Sequence, residues 1–98
     1  MLELRTLRRA PDIDAEAVAI DALAFIAGDQ ELLGRFLDLT GLRADEIRAA
    51  AGQPGFLVGV LDFVLAHEPT LVTFCQNTAT EPEMIQIARD RLDGATAR

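Results

Sequence analysis

The sequence predicts an all-α fold, a compact single-domain bundle of about five to six short helices. Three observations predict it. Apolar residues recur at helical spacing through most of the chain, and no alternating apolar pattern of useful length marks a strand. Capping residues, glycines and prolines punctuate those segments. Finally, an offset of 38 residues lays residues 18–51 onto residues 56–89 with seven identities in 34 positions. These are Leu23/Leu61, Phe25/Phe63, Leu33/Leu71, Phe36/Phe74, Thr40/Thr78, Ile47/Ile85 and Ala50/Ala88, with Ile20/Val58, Ile26/Val64 and Asp45/Glu83 as near matches. A period of this size fits stacked helical units. The echo has two readings: a pair of pseudo-repeated three-helix units, or amphipathic helices that share a packing periodicity.

The first helix is expected over about residues 15–27, with Asp12 or Asp14 accepting the free N–H groups at its start. Val18, Ala19, Ala22, Phe25 and Ile26 form its apolar face. Gly28 should end it in a left-handed conformation. Asp29 then caps a second helix over about residues 30–40, and so short a link folds the two into a hairpin. Leu32, Leu33, Phe36 and Leu37 turn inward. Gly41 stands just past the cap, and Leu42 follows as the apolar contact of a Schellman motif. A third helix is expected over about residues 44–51, before Gly52-Gln53-Pro54-Gly55 breaks the chain.

The fourth segment, residues 55–67, is apolar nearly all round, interrupted only by Gly59, Asp62 and Ala66. A helix of this kind belongs at the centre of a bundle, and Gly59 is expected to admit a close neighbour. A fifth helix over about residues 69–76 should bury Leu71, Val72, Phe74 and Cys75. The sixth, over about residues 82–92, turns Met84, Ile85, Ala88 and Leu92 inward. Its start has two readings, a Thr80/Glu83 capping box or a Glu81 cap with Pro82 at the first helical position. The domain is thus expected over residues 14–93, between a flexible or frayed basic tail over residues 1–13 and a frayed end over residues 94–98.

Half of the 98 residues are apolar, enough for one core without disulfide or metal. No stretch reaches the roughly eighteen uninterrupted apolar residues that a membrane span needs. The lone cysteine, Cys75, fits a reducing compartment, so a cytoplasmic location is expected. All nine basic residues are arginine, and three of them (Arg5, Arg8 and Arg9) fall within the first nine positions. Residues 10–98 carry six arginines against fifteen acids, a balance of −9 that repels phosphate backbones and excludes nucleic-acid binding by the folded body.

The stretches ALAFIAGD (residues 22–29), RFLDLTGL (35–42), IRAAA (47–51), PGFL (54–57) and VLDF (60–63), with Glu68 and Leu71 beyond, carry a likeness. Together they resemble a family of short proteobacterial proteins known only as a domain of unknown function, over roughly residues 17–88. The resemblance implies an all-helical cytoplasmic protein and no established activity, ligand or catalytic residue. Where members of that family often begin the third helix with Asp-Pro, this chain has Arg43-Ala44.

Three polar residues stand out as candidates. Cys75 and His67 are the one obvious nucleophile–base pair, although Cys75 aligns with the core position Leu37 and reads as a small buried hydrophobe. His67 ends one helix and nearly begins the next, where a helix C-terminus would favour its imidazolium. Asp62 replaces Ala24 of the first half in the most apolar helix. It belongs either on an exposed stripe with Gly59 and Ala66 or beside an arginine such as Arg35 or Arg48, because burying it unpaired costs several kcal/mol. No metal-ligand spacing or phosphate-cradling loop is present, so no cofactor, metal or catalytic site is expected.

The reading that follows is a protein–protein interaction or adaptor module without catalytic activity, which meets a protein partner or a second copy of itself. Ile20, Leu39, Val58, Leu65 and Ile87 fall off the expected core faces and would form the contact patch if exposed together. The alternative is a small enzyme or ligand-binding protein that uses Asp62, His67 and Cys75.

Overall fold

Residues 14–96 are described by a computed structural model. The expected basic tail over residues 1–13 and the last two residues lie outside the described residues. Six α-helices are present, and no strand occurs among the described residues. They are α1 (Ala15–Ala27), α2 (Gln30–Thr40), α3 (Ile47–Ala50), α4 (Pro54–Leu65), α5 (Glu68–Thr78) and α6 (Pro82–Thr96). A 3₁₀ turn over Ala44–Glu46 leads into α3, so the expected third helix is half 3₁₀ and half α. The last helix outruns its expected end at Leu92 and passes through Gly94.

Caps place these elements as the side-chain chemistry dictates. Asp14 accepts the Ala17 N–H, and Asp29 accepts those of Glu31 and Leu32, which satisfies donors that a helix start leaves free. Gly41 takes the left-handed conformation at φ +75° and donates to the Leu37 carbonyl. Leu42 donates instead to the Thr40 hydroxyl, so the end of α2 is the single-bond left-handed cap and not the expected Schellman motif. Gly28 also departs from expectation. Its φ is −80°, in the right-handed region open to any residue, so the left-handed conformation does not explain the glycine here. Gly59, expected at a close helix approach, faces open space. The Thr80 hydroxyl bonds the hydroxyl and carbonyl of Thr78, while the Glu81 carbonyl accepts the Met84 N–H at the start of α6.

The 38-residue echo is structural over the two hairpins. α2 and α5 begin and end in register, α1 and α4 end in register, and the third elements start in register at Ala44 and Pro82. Equivalent details repeat. Thr40 donates to the Phe36 carbonyl at 3.0 Å and Thr78 to the Phe74 carbonyl at 2.7 Å. Gly41 and Ala79 both take the left-handed conformation. The ring contacts also exchange under the shift: Phe25 of α1 meets Phe74 of α5 at 5.4 Å, and Phe63 of α4 meets Phe36 of α2 at 5.3 Å. A contact i–j mirrored by j–i is the signature of two-fold packing, so the α1–α2 and α4–α5 hairpins face each other about a pseudo-dyad.

The core lies along that dyad. Ala19, Ala22 and Ile26 of α1 and their mates Leu57, Val60 and Val64 of α4 are buried, with Phe36 and Phe74 sealing the two ends. α6 then breaks the symmetry. It packs along both α1 and α4 and buries Ile85 and Ala88 completely. Its counterpart α3 stops after one turn, and the equivalent Ile47 and Ala50 stay half-exposed.

Candidate functional site

The three candidate polar residues occupy three separate places. Asp62 does lie on the exposed stripe with Gly59 and Ala66, and it is also paired. Its partner is Arg89 of α6, whose Nε donates to the Asp62 carboxylate at 2.8 Å; Arg35 and Arg48 take no part in that bond. This hydrogen bond, and then the carboxylate charge, push the Arg89 guanidinium above its ordinary range. Asp90 and Asp93 flank the same guanidinium at 3.4 Å. Arg35 instead sits over the Phe63 ring, 5.8 Å from its centroid.

His67 sits, as expected, between the end of one helix and the start of the next. α4 ends at Leu65 with Ala66 as its cap, and α5 starts at Glu68, so His67 takes the cap position of α5, where its side chain makes no capping hydrogen bond. Its Nδ1 is hydrogen-bonded at 2.8 Å to the hydroxyl of Thr70, a residue only 5% exposed. That bond is why a threonine could replace an aliphatic residue on the inner face of α5, while Val72, expected inside, is exposed. His67 also lines a cleft of about 400 Å³ with Phe25, Asp29, Arg35 and Thr73, where the starts of α2 and α5 converge.

Cys75 is half-buried near the far end of α5, packed on the core. Burial first, and the Glu81 carboxylate second, raise its thiol pKa and thereby lower its thiolate fraction. Eight residues of helix separate it from His67, a rise of about 12 Å. Among the described residues, no hydrogen bond or ion pair links any two of Asp62, His67 and Cys75, and no cluster of metal-ligating side chains occurs.

The expected apolar patch is also corrected. Val58 is only 8% exposed because it lies on the α4 face that α6 covers, and Leu65 and Ile87 are half-buried. Ile20 at 40% and Leu39 at 74% remain exposed. Ile20 opens a groove of about 450 Å³ between α1, α2 and the short third element, with Ala24, Leu33, Ile47, Arg48 and Ala51 among its walls. The 38-residue shift carries this groove onto the seam between α4 and α6. Ala24 and Ala51 become Asp62 and Arg89, the ion pair that clasps that seam. The same surface is therefore closed and clasped in one half, open and lined by alanine in the other. Sequence reasoning marked the Ala24/Asp62 change and missed its partner, the Ala51/Arg89 change at the last aligned position.

Among the described residues, no single helix is long and apolar enough to cross a membrane; α4 and α5 pass that test only jointly, across a bend of 104°. The family described as "Protein of unknown function (DUF3572)" matches residues 12–95, and the chain belongs to it. No curated protein and no solved structure matches the chain.

Proposed function

We propose that this DUF3572 chain is a protein-interaction module that receives an amphipathic helix from a partner protein in the groove between α1, α2 and α3. One observation carries the reading. In the pseudo-dyad mate of this groove, the wall that corresponds to α3 is the longer α6, which closes on α4 with Ile85 and Ala88 buried. By contrast, α3 stops after one turn and leaves Ile47 half-exposed. The open half offers the same backbone frame with apolar walls, and helix-in-groove docking fits that shape. The partner helix should present aliphatic residues toward Ile20 and Leu33 and an acidic residue toward Arg48, the one charge among the groove residues. A chain with a single cysteine suits such work in the cytoplasm.

The test is capture from native lysate with mass-spectrometric identification, run in parallel for the natural chain and Ile20→Glu. A synthetic helix from the captured protein should then shift the Ile20 and Ile47 methyl signals of the natural chain. Capture that survives Ile20→Glu, or a monomer that captures nothing above background, removes the proposal. The three-residue enzyme alternative gains no support from the geometry, since each of its members has a different neighbourhood.

A further inference from the structure

α6 completes the core, yet it packs along α1 and α4 and only slightly on α5, the helix it follows in the chain. The tether between them is short, with Ala79, Thr80 and Glu81 joining Thr78 to Pro82. It is also strained. Ala79 closes α5 in the left-handed conformation at φ +53°, its N–H on the Cys75 carbonyl, and the Thr80 N–H donates to the same oxygen at 3.0 Å. At the equivalent turn after α2 the left-handed residue is Gly41, which takes that conformation without a Cβ clash. The strained turn is thus the one that sends a long helix back over both hairpins. The relaxed turn precedes α3, which covers little.

We propose that α6 exchanges between two copies of this chain, so that the α6 of each copy covers α1 and α4 of the other. The partner is a second copy, and the surface that receives it is the one against which Ile85, Ala88 and Leu92 are buried. Three facts support the exchange. Every contact of α6 with α1 and α4 recurs in the exchanged dimer, so apolar burial does not favour the monomer. Opening the tether releases Ala79 from the left-handed region, and a short connection under strain is the condition that invites exchange. Pro82 then decides the form of the opened tether. The residue before a proline is held out of the helical region, so Glu81 keeps α5 and α6 from merging into one helix. The tether opens instead as an extended link of up to about 14 Å from Thr78 to Pro82. The groove beside Ile20 takes no wall from α6, so it is whole in either form, and the exchanged dimer carries two of them.

Because Ile85 and Ala88 are completely buried, α6 leaves the body only when the core opens, so the exchange is set during folding. The full chain tests it by unfolding in urea and refolding at low and at high protein concentration, with the mass read by light scattering after size exclusion. A dimer that grows with refolding concentration and outlasts dilution is expected. In a mixture of differently labelled chains refolded together, NMR contacts between the methyls of α6 and those of α4 should run between molecules. Ala79→Gly should weaken the dimer about tenfold or more, since the strain that exchange relieves at two tethers is then already gone. Ala79→Pro, which cannot take a positive φ, should raise the dimer fraction. A natural chain that stays monomeric at every refolding concentration overturns the exchange. So does a dimer whose α6–α4 contacts remain within one molecule, or an Ala79→Gly dimer as strong as the natural one. The natural chain and Ala79→Gly yield these decisions, so poor folding of Ala79→Pro leaves them intact.

Discussion

Ala79 carries a conformation that its side chain resists. At φ +53° it is the one non-glycine residue with positive φ among the described residues, and it is the mate of Gly41 at φ +75°. For an L-residue the left-handed region costs roughly 1–2 kcal/mol, a cost glycine escapes. Ala79→Gly should therefore raise stability by about 1 kcal/mol, and Gly41→Ala should lower it by about as much, both read as shifts of the urea midpoint. No atom lies within 4 Å of a Cβ built at Gly41, so its cost is purely conformational. Cys75 supplies the other test at this scale. A thiol whose pKa is raised above its ordinary value of 9.0 should alkylate more slowly at pH 8 than in the urea-unfolded chain, and Glu81→Gln should speed it slightly. The linkage has a definite sign. Above pH 9 the unfolded thiol ionises first, so this group's contribution to stability falls as pH rises toward the folded value.

At the scale of elements, the Asp62–Arg89 clasp joins α4 to α6 at the edge of the core. It is exposed enough for salt to screen it, so the destabilisation from Arg89→Ala should shrink on going from 20 mM to 500 mM NaCl. An effect independent of salt would mean that the arginine's aliphatic stem matters more than its charge. The helices themselves were legible because their caps are local: Asp29 and Gly41 announce α2 through hydrogen bonds that reach no further than four residues. The clasp was half legible. Asp62 was conspicuous as a carboxylate in an apolar helix, but Arg89 lies 27 residues further on, and no local rule chooses among the arginines. The groove could not be read at all, because it exists only where α3 stops short of the packing that α6 achieves. Likewise the sequence places His67 between two helices, but that Ala66 closes α4 and His67 opens α5 is a one-residue boundary that no local signal decides.

For the whole molecule, the pseudo-dyad and the shared α6 have opposite effects on cooperativity. Hairpins that repeat could be expected to melt as separate units, as stacked repeats do. Yet their inner faces cover each other, and one helix covers both. A single urea transition is therefore expected, with circular dichroism and the Met84 methyl signal moving together. Phe36→Ala, at a fully buried ring that meets both Phe56 and Phe63, should cost about 3–5 kcal/mol and Leu39→Ala on the surface less than about 0.5 kcal/mol. Two separated transitions would show that the hairpins fold independently.

The dependence of both hairpins on α6 also orders events in time. α6 follows in the chain everything it covers. During synthesis the inner faces of α1 and α4 can close on each other once both are made, but the part of each that α6 covers stays bare until α6, the last of the described helices, arrives. The nascent chain is for that interval a pair of sticky, unfinished halves, and the groove beside Ile20 is the part of that early surface that the finished fold leaves open.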